Sequence, residues 1–301
     1  MLLSSLLEEF VFNCECRRLS SKTTRNYQKQ IQYLLNYLHE EHGVAEVEKV
    51  TPKMIKTFML LKERGGNKPA YINDLLKAFK CFFKYLHAEG YTAQLITERI
   101  HNVRQPKVII QTFTKKNIAD MINECNGVDF LSLRNKAIIC MLFDTGIRLN
   151  ELITLSCDQI KPDYLLIHGK GNKERVVPKS PYLGRILLKY NTVRESYFTH
   201  KAVPYANYFL SKNGKPLTHE AVLHMLKQVG AQVGGSKDIR VSPHTCRHTF
   251  AQMQLLNGLD IYTLARVMGH ESIAITQRYL EGIRNADVLS NSVRTSPLMN
   301  L

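Results

Sequence analysis

With 301 residues, the chain is longer than one hydrophobic core usually supports, so two domains with separate cores are expected. An apolar fraction of 44% and a charged fraction of 22% are globular values and exclude general disorder. The net charge of +15 is spread along the chain, with 17 basic and 11 acidic side chains in residues 1–110 and 24 and 15 in the rest, which suits a clamp on a polyanion through counterion release.

Met1 to Leu7 has no basic leader and only a short apolar run broken by Ser4 and Ser5, so a signal peptide is not expected. No apolar stretch is long enough to span a bilayer. No membrane partner is expected, and the protein is placed in the cytoplasm. Cys14-Glu15-Cys16 lacks zinc-ligand spacing, and Cys81, Cys125, Cys140, Cys157 and Cys246 are scattered singly. An odd, dispersed set points to reduced thiols.

A helix is expected where Tyr27, Ile31, Leu34, Leu35 and Leu38 recur on one face. A second begins at Thr51 as N-cap with Pro52 in the first turn and ends near Gly65-Gly66. A third carries Ile72, Leu75, Leu76, Phe79, Phe82 and Leu86 and stops at Gly90. These stripes read as core.

Asn102 to Thr114 holds Pro106, basic residues and β-branched residues without helical period, the pattern of an extended linker. Helical patterns resume over Lys115–Cys125 and Leu133–Phe143, the latter ending at Asp144-Thr145-Gly146. Tyr164–His168 and Arg175–Pro178 flank Gly169-Lys170-Gly171-Asn172-Lys173 and predict a β-hairpin with a basic tip. Further helices are expected after Pro181 and after Thr218, and the last third reads as helical with breaks at Gly258 and Gly269.

The candidate chemistry lies in four places. Arg148 follows Gly146 at the start of a new helix, and Glu151 is three residues on. Lys170 sits on the hairpin tip. His244 and Arg247, three apart in Pro243-His244-Thr245-Cys246-Arg247-His248, share a helical face. Gly269-His270 precedes Arg278-Tyr279 by nine residues. His248 adjoins this motif and reads as helix-stabilising or supporting, not catalytic.

In this order and spacing, Arg148, Lys170, His244, Arg247, His270 and Tyr279 resemble the active site of the tyrosine recombinase (phage integrase) family. The resemblance covers the chain from the linker to Tyr279 by motif, and the N-terminal bundle by length, charge and helical character only. It implies that Tyr279 is the nucleophile, that Arg148 and Arg247 hold the scissile phosphate, and that His244, Lys170 and His270 assist proton transfer and orientation. Glu151 takes the family's supporting acidic position beside the first arginine.

The chemistry is consistent with this. Attack on a phosphodiester builds negative charge that planar guanidiniums bind in bidentate fashion. A phenol needs a proton acceptor to become a nucleophile, for which His244 is the choice. The leaving 5′ oxygen needs a proton, assigned to Lys170 by family alignment. Lys173 is the alternative donor and otherwise a phosphate contact, and Lys173 and Arg175 are expected to bind DNA. No metal-ligand spacing and no phosphate-binding Gly-rich loop is present. With a covalent intermediate conserving the bond energy, neither metal, ATP nor any other cofactor is expected.

The expected fold is mainly α with a small β-hairpin, in two domains closed as a C-shaped clamp on double-stranded DNA. Residues 1–101 form a helical core-binding, DNA-holding domain, 102–113 a linker, 114–284 the catalytic domain, and 285–301 a tail exchanged between protomers. The resemblance further implies a homo-tetramer on paired recombination sites, acting through a Holliday junction, and leaves room for an accessory directionality factor. Integration, excision or transposition of a mobile element is the favoured role. Chromosome- or plasmid-dimer resolution is the alternative within the same chemistry. A type IB topoisomerase is a rival that the short length and separate bundle disfavour, and a non-catalytic DNA-binding regulator would have no use for Tyr279.

Overall fold

The computed structural model describes residues 1–106, 110–169, 174–234 and 239–283, together with Val293. The chain divides into two compact units, Met1–Lys107 and Val108–Leu301, each with its own hydrophobic core. The expected tail over 285–301 lies outside the described residues apart from Val293.

The first unit is built on α1 (Leu3–Cys16), α2 (Ser21–His42), α3 (Pro52–Arg64) and α4 (Pro69–Ala88). Three of these are where the sequence places them. Thr51 caps α3 by accepting from the Met54 N–H, and Pro52 opens it, because Pro presets φ and has no N–H to leave unsatisfied. On α2 the expected face buries Ile31, Leu34, Leu35 and Leu38. The first helix, α1, has no side-chain cap and no such announcement. It is held by Leu3, Leu6, Leu7, Phe10 and Cys14, all buried, and each large apolar side chain so buried contributes roughly 2 kcal/mol. Phe10 meets Phe82 edge-on at 5.5 Å. At the end of the unit, Asn73 on α4 pairs with the Val103 backbone in both directions, at 2.8 and 2.9 Å.

In the second unit a capping box of Thr114 and Asn117 starts α5 (Lys115–Glu124), and Asp129 starts α6 (Phe130–Thr145). Residues Ala137 to Leu142 of α6 are all buried, the mark of a helix covered on all sides. It packs against α8 and α10 and carries the site at its C-terminal end. There Gly146 closes it in the left-handed conformation, φ +58°, and the short α7 (Leu149–Thr154) follows with Arg148 at its N-cap.

Strands β1 (Tyr164–His168) and β2 (Glu174–Pro178) pair antiparallel, Leu165 opposite Val177 and His168 opposite Glu174. The basic tip between them, with Lys170 and Lys173, lies outside the described residues. Ser180 and Thr218 cap α8 (Pro181–Phe198) and α9 (His219–Gln232). Ser242 caps α10 (Pro243–Leu256), and Asp260 caps α11 (Ile261–Met268), which ends at Gly269 with φ +64°. Next comes α12 (Ile273–Gln277), two residues before Tyr279. No described helix is long and apolar enough to cross a membrane.

Gly146 is a point where sequence and packing agree on one residue. A Cβ there would run into the Phe250 ring, with Cε1 at 2.9 Å, in a conformation that L side chains rarely adopt. Gly146→Ala should therefore destabilise the protein by about 3 kcal/mol, seen as a lower thermal unfolding midpoint. An unchanged midpoint would mean that α6 can end there without a left-handed residue.

Candidate active site

Three breaks between helices bring the site together. The turn from α6 into α7 supplies Arg148, the first turns of α10 supply His244, Arg247 and His248, and the α11 stop supplies His270. Tyr279 follows α12 and packs with Phe250, Ala251, Leu264 and Met268. A cleft lined by Arg148, His219, Arg240, Ser242, His244 and Arg247 opens beside them.

The two guanidiniums are held by backbone carbonyls that the helix stops turn toward them. Arg247, 5% exposed, donates to Gly146 O at 2.5 Å and to Met268 O at 2.7 Å. Arg148 donates to Gly269 O at 3.1 Å and to Glu151 Oε1 at 3.0 Å. Carbonyls at a helix C-terminus carry partial negative charge, so cations sit well there. Burial, with the Arg148 charge behind it, still pushes Arg247 down to about 10. Among the described residues, the Nε–H of each guanidinium meets no hydrogen-bond acceptor. An anion in the cleft would supply the missing charge and acceptors.

Glu151 is the hinge of this arrangement. Its buried carboxylate accepts from the Arg148 backbone N–H at 2.7 Å, from Arg148 Nη1, and from both terminal nitrogens of Arg175 at 2.8 and 2.7 Å. Burial alone would raise its pKa, but the hydrogen bonds and charges of Arg175 and Arg148 outweigh it and hold the carboxyl below its ordinary range. Arg175, expected from sequence to contact DNA, is paired within the protein. Its side chain is 11% exposed, and its Nε donates to Val267 O at 2.9 Å. Paired inward on both sides, it braces Glu151 and ties β2 to α11 instead of projecting to solvent.

Three imidazoles complete the site. His270 Nε2 lies 3.0 Å from Arg247 Nη2, and its Nδ1 lies 2.8 Å from Thr276 Oγ1. A guanidinium only donates, so His270 Nε2 accepts and its Nδ1–H faces Thr276. Its ring lies nearly parallel to Tyr279, 18° apart with centroids at 5.9 Å. Burial, then Arg247, Arg148 and Arg175, push His270 down to about 4. Burial, then His244 and Arg247, push His248 to about 4, and His244 is lowered by burial, Arg247 and Arg240. Arg247 occupies the lone pair of neutral His270, so a free lone pair for a proton is left to the His244–His248 pair.

Of the residues singled out from sequence, Arg148, Glu151, His244, Arg247, His270 and Tyr279 converge here, and Lys170 and Lys173 lie outside the described residues. His248, Thr276, Gln252 and Arg240 also belong to the neighbourhood. Gln252 donates to Tyr279 O at 3.3 Å and accepts from Thr112 Oγ1 at 2.7 Å. The sequence signal for His248 and Gln252 was their helical spacing from His244, at one and two turns.

The Phage integrase family model matches residues 111–284, and the model of its N-terminal SAM-like domain matches residues 13–90. Tyrosine recombinase XerD of Listeria monocytogenes serotype 4b (strain F2365) is 27% identical over 282 residues, covering 92% of this chain and 94% of that protein. Tyrosine recombinase XerC of Thermodesulfovibrio yellowstonii is 26% identical over 264 residues, covering 86% and 85%. Among solved structures, the XerH site-specific recombinase bound to palindromic difH substrate has a TM-score of 0.73 at 19% identity, covering 95% of this chain and 89% of that one. A lambda integrase dimer bound to a COC′ core site has a TM-score of 0.73 at 18% identity, covering 95% and 97%. These two share the fold.

Glu151→Gln leaves two guanidiniums without their carboxylate and should lower stability by about 3 kcal/mol at neutral pH. The folded carboxyl titrates below its ordinary value of 4.5. Its contribution is therefore full above that pH and is lost as pH falls through the folded value. In urea unfolding, the gap between wild type and E151Q should close in acid, and a constant gap would show that the charge is not what stabilises. The depressed histidines add a second acid loss. They protonate in the unfolded chain at 6.5 but in the folded one only near about 4, so wild-type stability should fall as pH drops through that window.

Proposed function

Because the chain belongs to the phage integrase family of DNA strand-transferring tyrosine recombinases, we propose that it cleaves and rejoins DNA through a 3′-phosphotyrosine link to Tyr279. In this reading the Tyr279 oxygen bonds to the scissile phosphorus, and the bond from phosphorus to the 5′ oxygen breaks. The phenolic proton passes to His244, and Lys170 protonates the leaving oxygen. Arg148 and Arg247 bind the nonbridging oxygens where charge develops, with Glu151 aiming Arg148 and His270 aiming Arg247. Rejoining reverses each transfer.

The observation that carries the reading is the convergence of two cations of incomplete hydrogen bonding with a phenol seated between His248 and His270. Positive charge in both units supports contacts with duplex DNA from each. Four copies acting on two sites would follow the assembly of lambda integrase, which has been solved as a tetramer bound to a Holliday junction.

Moving a mobile element is the role favoured by the motifs. A second reading, resolution of chromosome or plasmid dimers by the same chemistry, gains support from relatives named XerD and XerC instead of integrase or transposase. Mapping covalent protein–DNA adducts across the genome separates the two, since adducts at element ends support the first and a single chromosomal or plasmid site the second.

Tyr279→Phe should bind DNA as wild type does and form no covalent adduct on a nicked suicide substrate, because only the oxygen is lost. An adduct in Y279F would place the nucleophile elsewhere. Arg247→Lys keeps a charge but not the fork, and single-turnover cleavage should slow on the order of 100-fold with a much smaller loss of binding. Equal rates would remove the clamp from the mechanism.

A further inference from the structure

His248 touches both the base and the nucleophile of the proposed reaction. Its Nε2 lies 2.9 Å from His244 Nε2, with the rings 4.5 Å apart and 81° to one another. The same ring stands edge-on to Tyr279, centroids at 4.8 Å and planes at 73°. At 8% exposure it is largely removed from bulk water. Two imidazole nitrogens at that separation hold one proton between them, one ring donating and the other accepting.

The direction of that bond decides whether His244 can work as a base. If His248 donates, both nitrogens of a neutral His244 are occupied, Nε2 by the bond and Nδ1 by its own proton. If His248 accepts, His244 Nε2–H points at His248 and the Nδ1 lone pair of His244 is left to take the phenolic proton. The groups facing the pair are Arg247 on α10, Arg240 in the loop before it, and Tyr279 from the segment after α12. Its neighbouring charges, Arg247 and Arg240, are positive and oppose protonation of His244. An imidazolium formed there is relieved by a charge-assisted N–H···N bond to His248.

We infer that His248 is a positioning residue for strand cleavage: by accepting from His244 Nε2–H and seating the Tyr279 ring, it selects the one His244 tautomer able to take the phenolic proton. This rests on the assignment of Tyr279 and His244 above. The proton balance is unchanged. The proton leaving Tyr279 arrives on His244 Nδ1, the bridging proton stays on His244 Nε2, and the leaving oxygen takes its proton from Lys170.

The test is single-turnover cleavage of a nicked suicide DNA across pH, with wild type, His248→Phe, His248→Gln, His248→Asn and Y279F. His248→Phe keeps an aromatic ring against Tyr279 but accepts nothing. Its plateau rate should fall about tenfold, and the acid limb of its profile should move to lower pH, because His244 is then a weaker base. Gln can reach His244 with its carbonyl oxygen and should restore the rate to within about twofold of wild type. Asn falls short and should behave like Phe, which keeps the comparison intact if the Phe variant does not fold. A wild-type rate and limb in both the Phe and Asn variants would overturn the inference. So would an equal loss in Gln, Asn and Phe with the limb unmoved, which is what mere packing would give. An adduct in Y279F would overturn the parent assignment and this inference with it.

Discussion

The buried carboxylate of Glu151 is the interaction on which the second unit's site depends. A lone carboxylate in that position would be strongly disfavoured by desolvation. It is stable only because the Arg148 backbone and side chain and the fork of Arg175 converge on it. Those partners come from the start of α7 and from β2, and each arginine continues to a carbonyl at the end of α11, Gly269 for Arg148 and Val267 for Arg175. One charge thus ties together the hairpin, the α6–α7 turn and the α11 stop.

The helix stops do a related job for the second guanidinium. A left-handed residue turns the chain sharply and leaves the last carbonyls of the helix without an internal partner. At Gly146 and at Met268-Gly269 those carbonyls point into the site and receive Arg247 and Arg148. Both glycines are hemmed in as well, Gly146 by Phe250 and Gly269 by the Arg175 side chain. Their lack of a Cβ serves the turn and the close packing at once.

Electrostatically the site combines buried cations with neutral histidines. Burial and the arginine charges together keep His244, His248 and His270 from protonating. At neutral pH the His244–His248 pair therefore keeps a lone pair free for a proton, while the cations remain to hold an anion. Either feature alone would be ordinary. Their coincidence around a phenol that is 5% exposed is what gives the cluster chemical meaning.

Much of this was legible in the sequence because it depends on local rules. The Thr51 cap with Pro52 located α3, breakers at Gly146 and Gly258 located the ends of α6 and α10, and two short strand signals around a glycine-rich tip located the hairpin. The order of Arg148, Lys170, His244, Arg247, His270 and Tyr279 identified the family without any coordinates. α1 was not legible, since it lacks a capping side chain and is stabilised by what it packs against. Tertiary structure alone decided the rest. That Arg175 pairs with Glu151 depends on which way its side chain is turned at the base of β2, where a desolvated carboxylate in reach draws it inward. Whether His248 is a helix neighbour or a partner of His244 and Tyr279 depends on where the segment after α12 comes to lie. Sequence spacing determines which side chains share a helix face, but only the folded chain brings together groups separated by a hundred residues.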